Sequence, residues 1–190
     1  EPLHLWMLCS PNDGAAAVVL ERGRGTGVEV AAVSLRSHLP GSVLGEATPL
    51  SGIPDDGITP PTTLAAREAY EKAGLGPEDL DLVECQDTDA ARELLACAEL
   101  GLCAIAELPR WVGEGTALPR GRLPVNVSGG LLSKGEPLGA SALGQVVEIV
   151  AQLRGHAGRR QVERATIGLA HTIGRGANAS ITILRAGSRS

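Results

Sequence analysis

With 190 residues, 43% of them apolar and 21% charged, the chain has the composition of a globular protein large enough to bury a core. No apolar run reaches membrane-spanning length, which excludes a transmembrane helix, and no signal peptide is expected. A net charge of −5, with no basic cluster beyond pairs such as Arg159-Arg160, excludes a nucleic-acid surface.

From the amino end, Leu3 to Leu8 reads as a short strand, Pro11-Asn-Asp-Gly14 as a turn, and Ala15 to Leu20 as a buried strand or a short helix. After the flexible break at residues 23–27, Val28 to Leu35 is β-branched and predicts a strand. Residues 37–61, rich in proline and glycine and without period, predict a long loop. Thr62 or Thr63 is expected to cap a helix running to Ala73, with Leu64, Ala65, Ala69 and Ala73 inward, a Glu68–Lys72 pair outside and Gly74 as its stop. A turn over Leu75–Leu80 leads into a buried strand, Leu82 to Cys85. Asp87 or Thr88 then caps a second helix, with Leu94, Leu95 and Ala98 inward and Gly101 ending it.

Residues 108–123 read as loop, with Trp111 the one large apolar residue. An apolar run from Leu123 to Val127 predicts a strand, followed by a glycine-rich stretch and a helix from Leu138 to Arg154. Gly129-Gly130 would let backbone N–H groups approach a ligand, since strand, glycine loop and helix in that order make a common binding layout. The inward set of the helix (Leu138, Ala142, Leu143, Val146, Val147, Ile149, Val150, Leu153) runs nearly all round it, which predicts burial on most faces. A strand over Ala165–Ala170, a glycine-rich turn over His171–Gly176 and a final antiparallel strand over Ala177–Leu184 complete an α/β layered domain with a mixed sheet. The first residues do not fit that unit and look like the closing strands of another. Cys9, Cys85, Cys97 and Cys103 lack metal-ligand spacing and are expected as free thiols, which points to a cytoplasmic protein.

Val125-Asn-Val-Ser-Gly-Gly-Leu-Leu-Ser-Lys-Gly-Glu-Pro-Leu-Gly-Ala140 resembles the carboxy-terminal signature of thiolases, in the form of the sterol-carrier and lipid-transfer branch: N-x-S-G-G, then G-H-P-x-G-A. Asn12-Asp-Gly-Ala-Ala-Ala-Val-Val-Leu20, Ala73-Gly-Leu-Gly-Pro-Glu-Asp-Leu-Asp81, Gln152-Leu-Arg-Gly155 and His171-Thr-Ile-Gly-Arg-Gly176 also match, so the resemblance covers nearly the whole chain. It implies a thiolase-like fold. Residues 1–27 would be closing strands of the amino-terminal domain with a linker, and residues 28–190 the βαβαβαββ carboxy-terminal domain. The amino-terminal half, with the nucleophilic cysteine, is then expected as another chain, as a further segment or as a piece cut away. The unit would be a homo- or hetero-oligomer, with no nucleic-acid or membrane partner.

The same resemblance implies a coenzyme A thioester as substrate or ligand and no tightly bound cofactor. Glu136 falls where the branch has the histidine of G-H-P, and an ionised glutamate cannot donate to an oxyanion unless it is kept protonated. Gln86 falls on the Asn or His position and Asp87 on the acidic position of a second motif, with Thr88 where the lipid-transfer branch carries an acid/base cysteine. Thr172 replaces the cysteine of a third motif, leaving His171 as a candidate acid/base or a structural histidine. Cys85, Cys97 and Cys103 read as core residues. The expected catalytic set is therefore Glu136, Gln86, Asp87 and His171, and the expected pocket-shaping set is Asn126, Gly129, Gly130, Gly135, Gly174 and Gly176. Altered acyl-CoA chemistry, such as a retro-aldol or a modified condensation, and a non-catalytic subunit that scaffolds a partner or binds acyl-CoA or lipid both follow from this pattern.

Overall fold

A computed structural model describes residues 3–23, 27–37, 59–174 and 178–187. The elements are β1 (Val28–Ser37), α1 (Pro61–Ala73), β2 (Leu82–Cys85), α2 (Ala90–Glu99), α3 (Leu108–Gly113), α4 (Gly130–Lys134), α5 (Ala140–Leu153), β3 (Ile167–Gly174) and β4 (Asn178–Ala186). The sheet order is β1-β4-β3-β2, with β2 and β3 parallel and the other pairs antiparallel. The strand expected over Leu123–Val127 is reduced to one parallel bridge, Val83–Val125, which continues the sheet beyond β2.

The sheet separates two apolar clusters. On one face Val83, Cys85, Leu169, Ile181 and Ile183 pack with α1, α2 and Trp111 of α3. On the other, Leu82, Ala170 and Leu184 pack with Ile149 and Leu153 of α5. The period-two alternation of β2 and β3 assigns their residues to faces: Leu82, Glu84 and Gln86 toward α5, and Val83 and Cys85 toward α1 and α2. Gly168 lets α5 lie close, since a Cβ there would stand 2.5 Å from the Ile149 side chain.

Several sequence expectations need correction. No strand forms over Leu3–Leu8 or Ala15–Leu20: a 3-10 turn spans Leu5–Met7, and Trp6 and Val19 are 94% and 96% exposed. A strand needs a paired neighbour, and among the described residues this segment has only the single bridges Leu8–Asp89 and Pro11–Glu136. Residues 11–14 form no turn, and Pro11 bridges Glu136 instead. Neither Thr62 nor Thr63 caps α1. Pro60 precedes it, and the two hydroxyls bond His171 and the Glu99 carbonyl instead. Asp89 rather than Asp87 or Thr88 caps α2, accepting from the Arg92 amide at 2.9 Å. Leu64 and Leu94 turn out to solvent, while Ala66, Tyr70, Ala96 and Cys97 are buried. Residues 108–113 are helical, because Trp111 gives that stretch an apolar anchor. Residues 171–174 continue β3 instead of turning. The long loop falls mainly on residues 38–58, outside the described residues.

Candidate functional site

Four consecutive residues at the carboxyl end of β2 hold the glycine-rich stretch. Glu84, fully buried, accepts from the Ser128 amide at 3.0 Å and from the Ser128 hydroxyl. The Cys85 amide donates to Asn126 Oδ1 at 2.8 Å. Gln86 Nε2 donates to Glu136 Oε1 at 2.7 Å. Asp87 Oδ1 accepts from the Leu131 amide at 2.6 Å, and Oδ2 from the Leu132 amide at 3.4 Å, at the start of α4. The loop follows the strand because each register position of the strand presents it with a partner.

Backbone conformation makes this seating possible. Asn126 has φ 51°, Gly129 φ 93° and Gly130 φ 63°, all left-handed values. A Cβ on Gly130 would overlap the Asp87 carboxylate, and one on Gly135 would stand 2.6 Å from the Asn12 side chain. These glycines admit neighbouring protein groups. Burial pushes the Asp87 and Glu84 carboxyls above their ordinary range, opposed by the Leu131 amide on Asp87 and by the Ser128 hydroxyl on Glu84. Lys134 Nζ reaches Ser128 Oγ at 2.7 Å and adds positive charge near both.

Glu136 sits at the carboxyl ends of β2 and β3. Gln86, its amide partner, is itself fixed by the Ile173 amide, which donates to Gln86 Oε1 at 3.0 Å. Thr172 points to the same face and donates to Gln145 of α5 at 2.9 Å. The amino-terminal segment crosses this point. Cys9 N donates to the Thr88 carbonyl at 2.8 Å, Glu136 N to the Ser10 carbonyl at 2.8 Å, and Asn12 Nδ2 to the Lys134 carbonyl at 2.8 Å. The Cys9 thiol lies 3.6 Å from Glu136 Oε2. Burial first, then the Glu136 charge, pushes that thiol up to about 11. A cleft of about 140 Å³ adjoins, lined by Gly14–Ala16 on one side and by Leu131, Lys134, Gly135, Pro137 and Ala140 on the other.

The structure therefore brings Glu136, Gln86 and Asp87 to one glycine-built loop, with Asn126, Gly129, Gly130 and Gly135 shaping it. Gly174 ends β3 nearby, its Cα close to the Asn178 side chain, and Gly176 lies outside the described residues. His171 is not part of this group. It pairs with Cys85 across the sheet and faces α1 and α2, fully buried, with Nε2 3.0 Å from Thr62 Oγ1 and Nδ1 unbonded. Burial pushes it down to about 3, so it stays neutral at physiological pH. Cys9 is the site residue that sequence reasoning missed. Reading residues 3–8 as a strand put it at a strand end, and no local pattern in the sequence singled it out. Cys85 and Cys97 are core residues, as their apolar neighbourhoods predict; Cys103 is half-buried against that core. Among the described residues no group of side chains has the makings of a metal site, and no helix is long and apolar enough to cross a membrane.

Residues 50–186 match the family model "Thiolase C-terminal domain-like". The chain is 37% identical to sterol carrier protein 2 of Rattus norvegicus, over 94% of this chain and 33% of that protein. It is 40% identical to an acetyl-CoA acetyltransferase of Methanothermobacter thermautotrophicus, over 92% of this chain and 45% of that one. Among solved structures it resembles the Ltp2-ChsH2(DUF35) aldolase, with a TM-score of 0.67 and 26% identity, over 83% of this chain and 39% of that chain. The chain thus spans about a third of the sterol carrier protein 2 relative.

Proposed function

Because this chain belongs to the thiolase C-terminal domain-like family, we propose that it acts on or binds acyl-CoA thioesters as the carboxy-terminal half of a thiolase-type unit. Residues 28–190 form that half. Residues 1–27 lead in from an amino-terminal half, supplied in the same protein or by a partner subunit of a homo- or hetero-oligomer. The reaction is formation or cleavage of a carbon–carbon bond next to the thioester, of acyltransferase or retro-aldol type.

The observation that carries this reading is Glu136, seated on the glycine loop with Gln86 on one carboxylate oxygen at 2.7 Å. In a retro-aldol cleavage, Glu136 takes the β-hydroxyl proton. The carbon–oxygen double bond forms as the Cα–Cβ bond breaks, and the electron pair passes into the thioester enolate. Gln86 orients the base, and Asp87 and Asn126 hold the loop around the reacting carbon. The second reading is a non-catalytic subunit that binds acyl-CoA or lipid or scaffolds a partner. It is favoured by Glu136 and Thr172 standing where the resembling motifs carry a histidine and a cysteine, and by the two-part name of the aldolase in the structural comparison.

The test uses the full-length protein with any co-purifying subunit. Acetoacetyl-CoA, a short acyl-CoA and a 3-hydroxyacyl-CoA are supplied, and release of CoA and of carbonyl product is followed. Turnover is expected, with Glu136→Gln lowering kcat by about 10²- to 10⁴-fold, the usual contribution of a positioned base. Binding of CoA thioesters without turnover selects the second reading. Neither binding nor turnover overturns both.

A further inference from the structure

We infer that Cys9 is a positioning residue for Glu136, occupying the carboxylate oxygen that Gln86 leaves free and so holding Glu136 as a hydrogen-bond acceptor. The placement of the thiol is built by backbone. Cys9 N is tied to the Thr88 carbonyl and Ser10 O to the Glu136 amide, each at 2.8 Å, so the residue is clamped between the two loops that form the site. Asn12, lying against Gly135, closes the clamp with its bond to the Lys134 carbonyl.

The direction of each hydrogen bond follows from the neighbours. The Ile173 amide fixes the oxygen of the Gln86 amide, so only the Gln86 NH₂ is left to face Glu136. Glu136 Oε1 therefore accepts. At Oε2 the partner is the Cys9 sulfur at 3.6 Å, and that thiol keeps its proton because burial and the facing carboxylate disfavour the thiolate. Oε2 accepts as well. With two donors and no proton of its own, Glu136 can receive a proton but cannot donate one to an oxyanion. Among the described residues, the other charged groups around the loop are Asp87 on the β2–α2 loop and Lys134 of α4, whose ammonium is turned to Ser128. Neither bonds Glu136 among the described contacts, so the thiol and the amide set its orientation.

The enzymatic half of this inference rests on the acyl-CoA reading above; the pairing itself does not, and one measurement separates them. In the full-length protein, the infrared S–H stretch of Cys9 is isolated as the difference between wild type and Cys9→Ser. It is expected to move when Glu136 is replaced by Gln. A band indifferent to Glu136→Gln overturns the inference. In the 3-hydroxyacyl-CoA assay, Cys9→Ala is expected to lower kcat by about 3- to 10-fold with KM little changed, because the base loses one of the two donors that orient it. Cys9→Ser, which keeps a donor, is expected to restore most of kcat. A Cys9→Ala kcat equal to wild type also overturns the inference. Should the band respond while no variant, wild type included, turns over a CoA thioester, the catalytic reading falls and the Cys9–Glu136 pairing stands.

Discussion

Asp87 and Gly130 are two halves of one contact. The carboxylate lies where a side chain at residue 130 would be, and its two oxygens collect the first free amides of α4. An anionic acceptor at a helix start is favourable on hydrogen-bond and dipole grounds alike. Gly130→Ala therefore meets both a left-handed φ and the Asp87 carboxylate. We expect it to lower the unfolding free energy by about 1–3 kcal/mol, read from urea titration. The same substitution at Gly113, which has open space around its Cα, should cost less than half as much. The sequence named both Asp87 and Gly130 as site residues. Their partnership was hidden because it depends on the loop folding back along β2, a tertiary fact that no local pattern encodes. Asp87 also looked like a helix cap, and it is one, but for α4 and not for α2.

At the level of elements, α5 is the instructive case. Its sequence suggests an apolar helix, yet its buried residues include Gln145, Glu148 and Gln152, while Leu138, just before it, and Val147 are exposed. Hydropathy ranks side chains by their preference for water and says nothing of which face finds partners. Gln152 finds three: its amide nitrogen donates to Glu148 at 3.0 Å and to the Arg160 carbonyl at 2.8 Å, and its oxygen accepts from Val162 N at 2.7 Å. Glu148 is in turn paired with Arg160. Removing Gln152 leaves a buried amide and a carbonyl without partners, so Gln152→Ala is expected to cost about 2–4 kcal/mol. It should also speed hydrogen exchange at Val162 N, which an apolar packing loss alone would not do selectively. By contrast β2, the Gly74 stop of α1 and the antiparallel β3–β4 pair were legible, because each is fixed by local chemistry: a short, mostly apolar run after a turn, a left-handed cap and a connection too short for a crossover.

For the molecule as a whole, two titratable groups, the buried His171 and the half-buried Glu93, pull stability in opposite directions. His171 falls to about 3 in the fold against an ordinary value near 6.5. Below pH 6.5 the unfolded chain binds a proton that the folded chain refuses, so this contribution is full above pH 6.5 and declines toward pH 3. Glu93 rises to about 7, through burial first and the Asp87 charge second. Its contribution is full below the ordinary carboxyl value of 4.5 and declines as pH rises through 7. Glu84 and Asp87, also pushed up by burial, act in the same sense as Glu93. Each single proton changes stability by about 1.4 kcal/mol per pH unit in its window. Denaturant midpoints measured from pH 4.5 to 7.5 should therefore show Glu93→Gln gaining on wild type as pH rises. His171→Gln should lose the acid-side decline between pH 6.5 and 4.5. The fold class and the α/β layering were readable from the sequence, whereas these shifts were not, since burial is a property of the assembled sheet and helices.

The clamp of Cys9 and Ser10 between Thr88 and Glu136 also sets an order of events in time. The Cys9–Glu136 contact joins residues 127 positions apart, and loops of that span close at an entropic cost that only a preformed docking surface can offset. The β2 end and the glycine loop must already be in register before the segment has anywhere to lie. Its docking is therefore expected to follow formation of that surface, with hydrogen exchange at Cys9 N faster than at the amides of β3, as the measurement that checks it. A newly made chain can then carry a complete sheet, and all the glycines of the loop, while its glutamate still lacks one of its two donors.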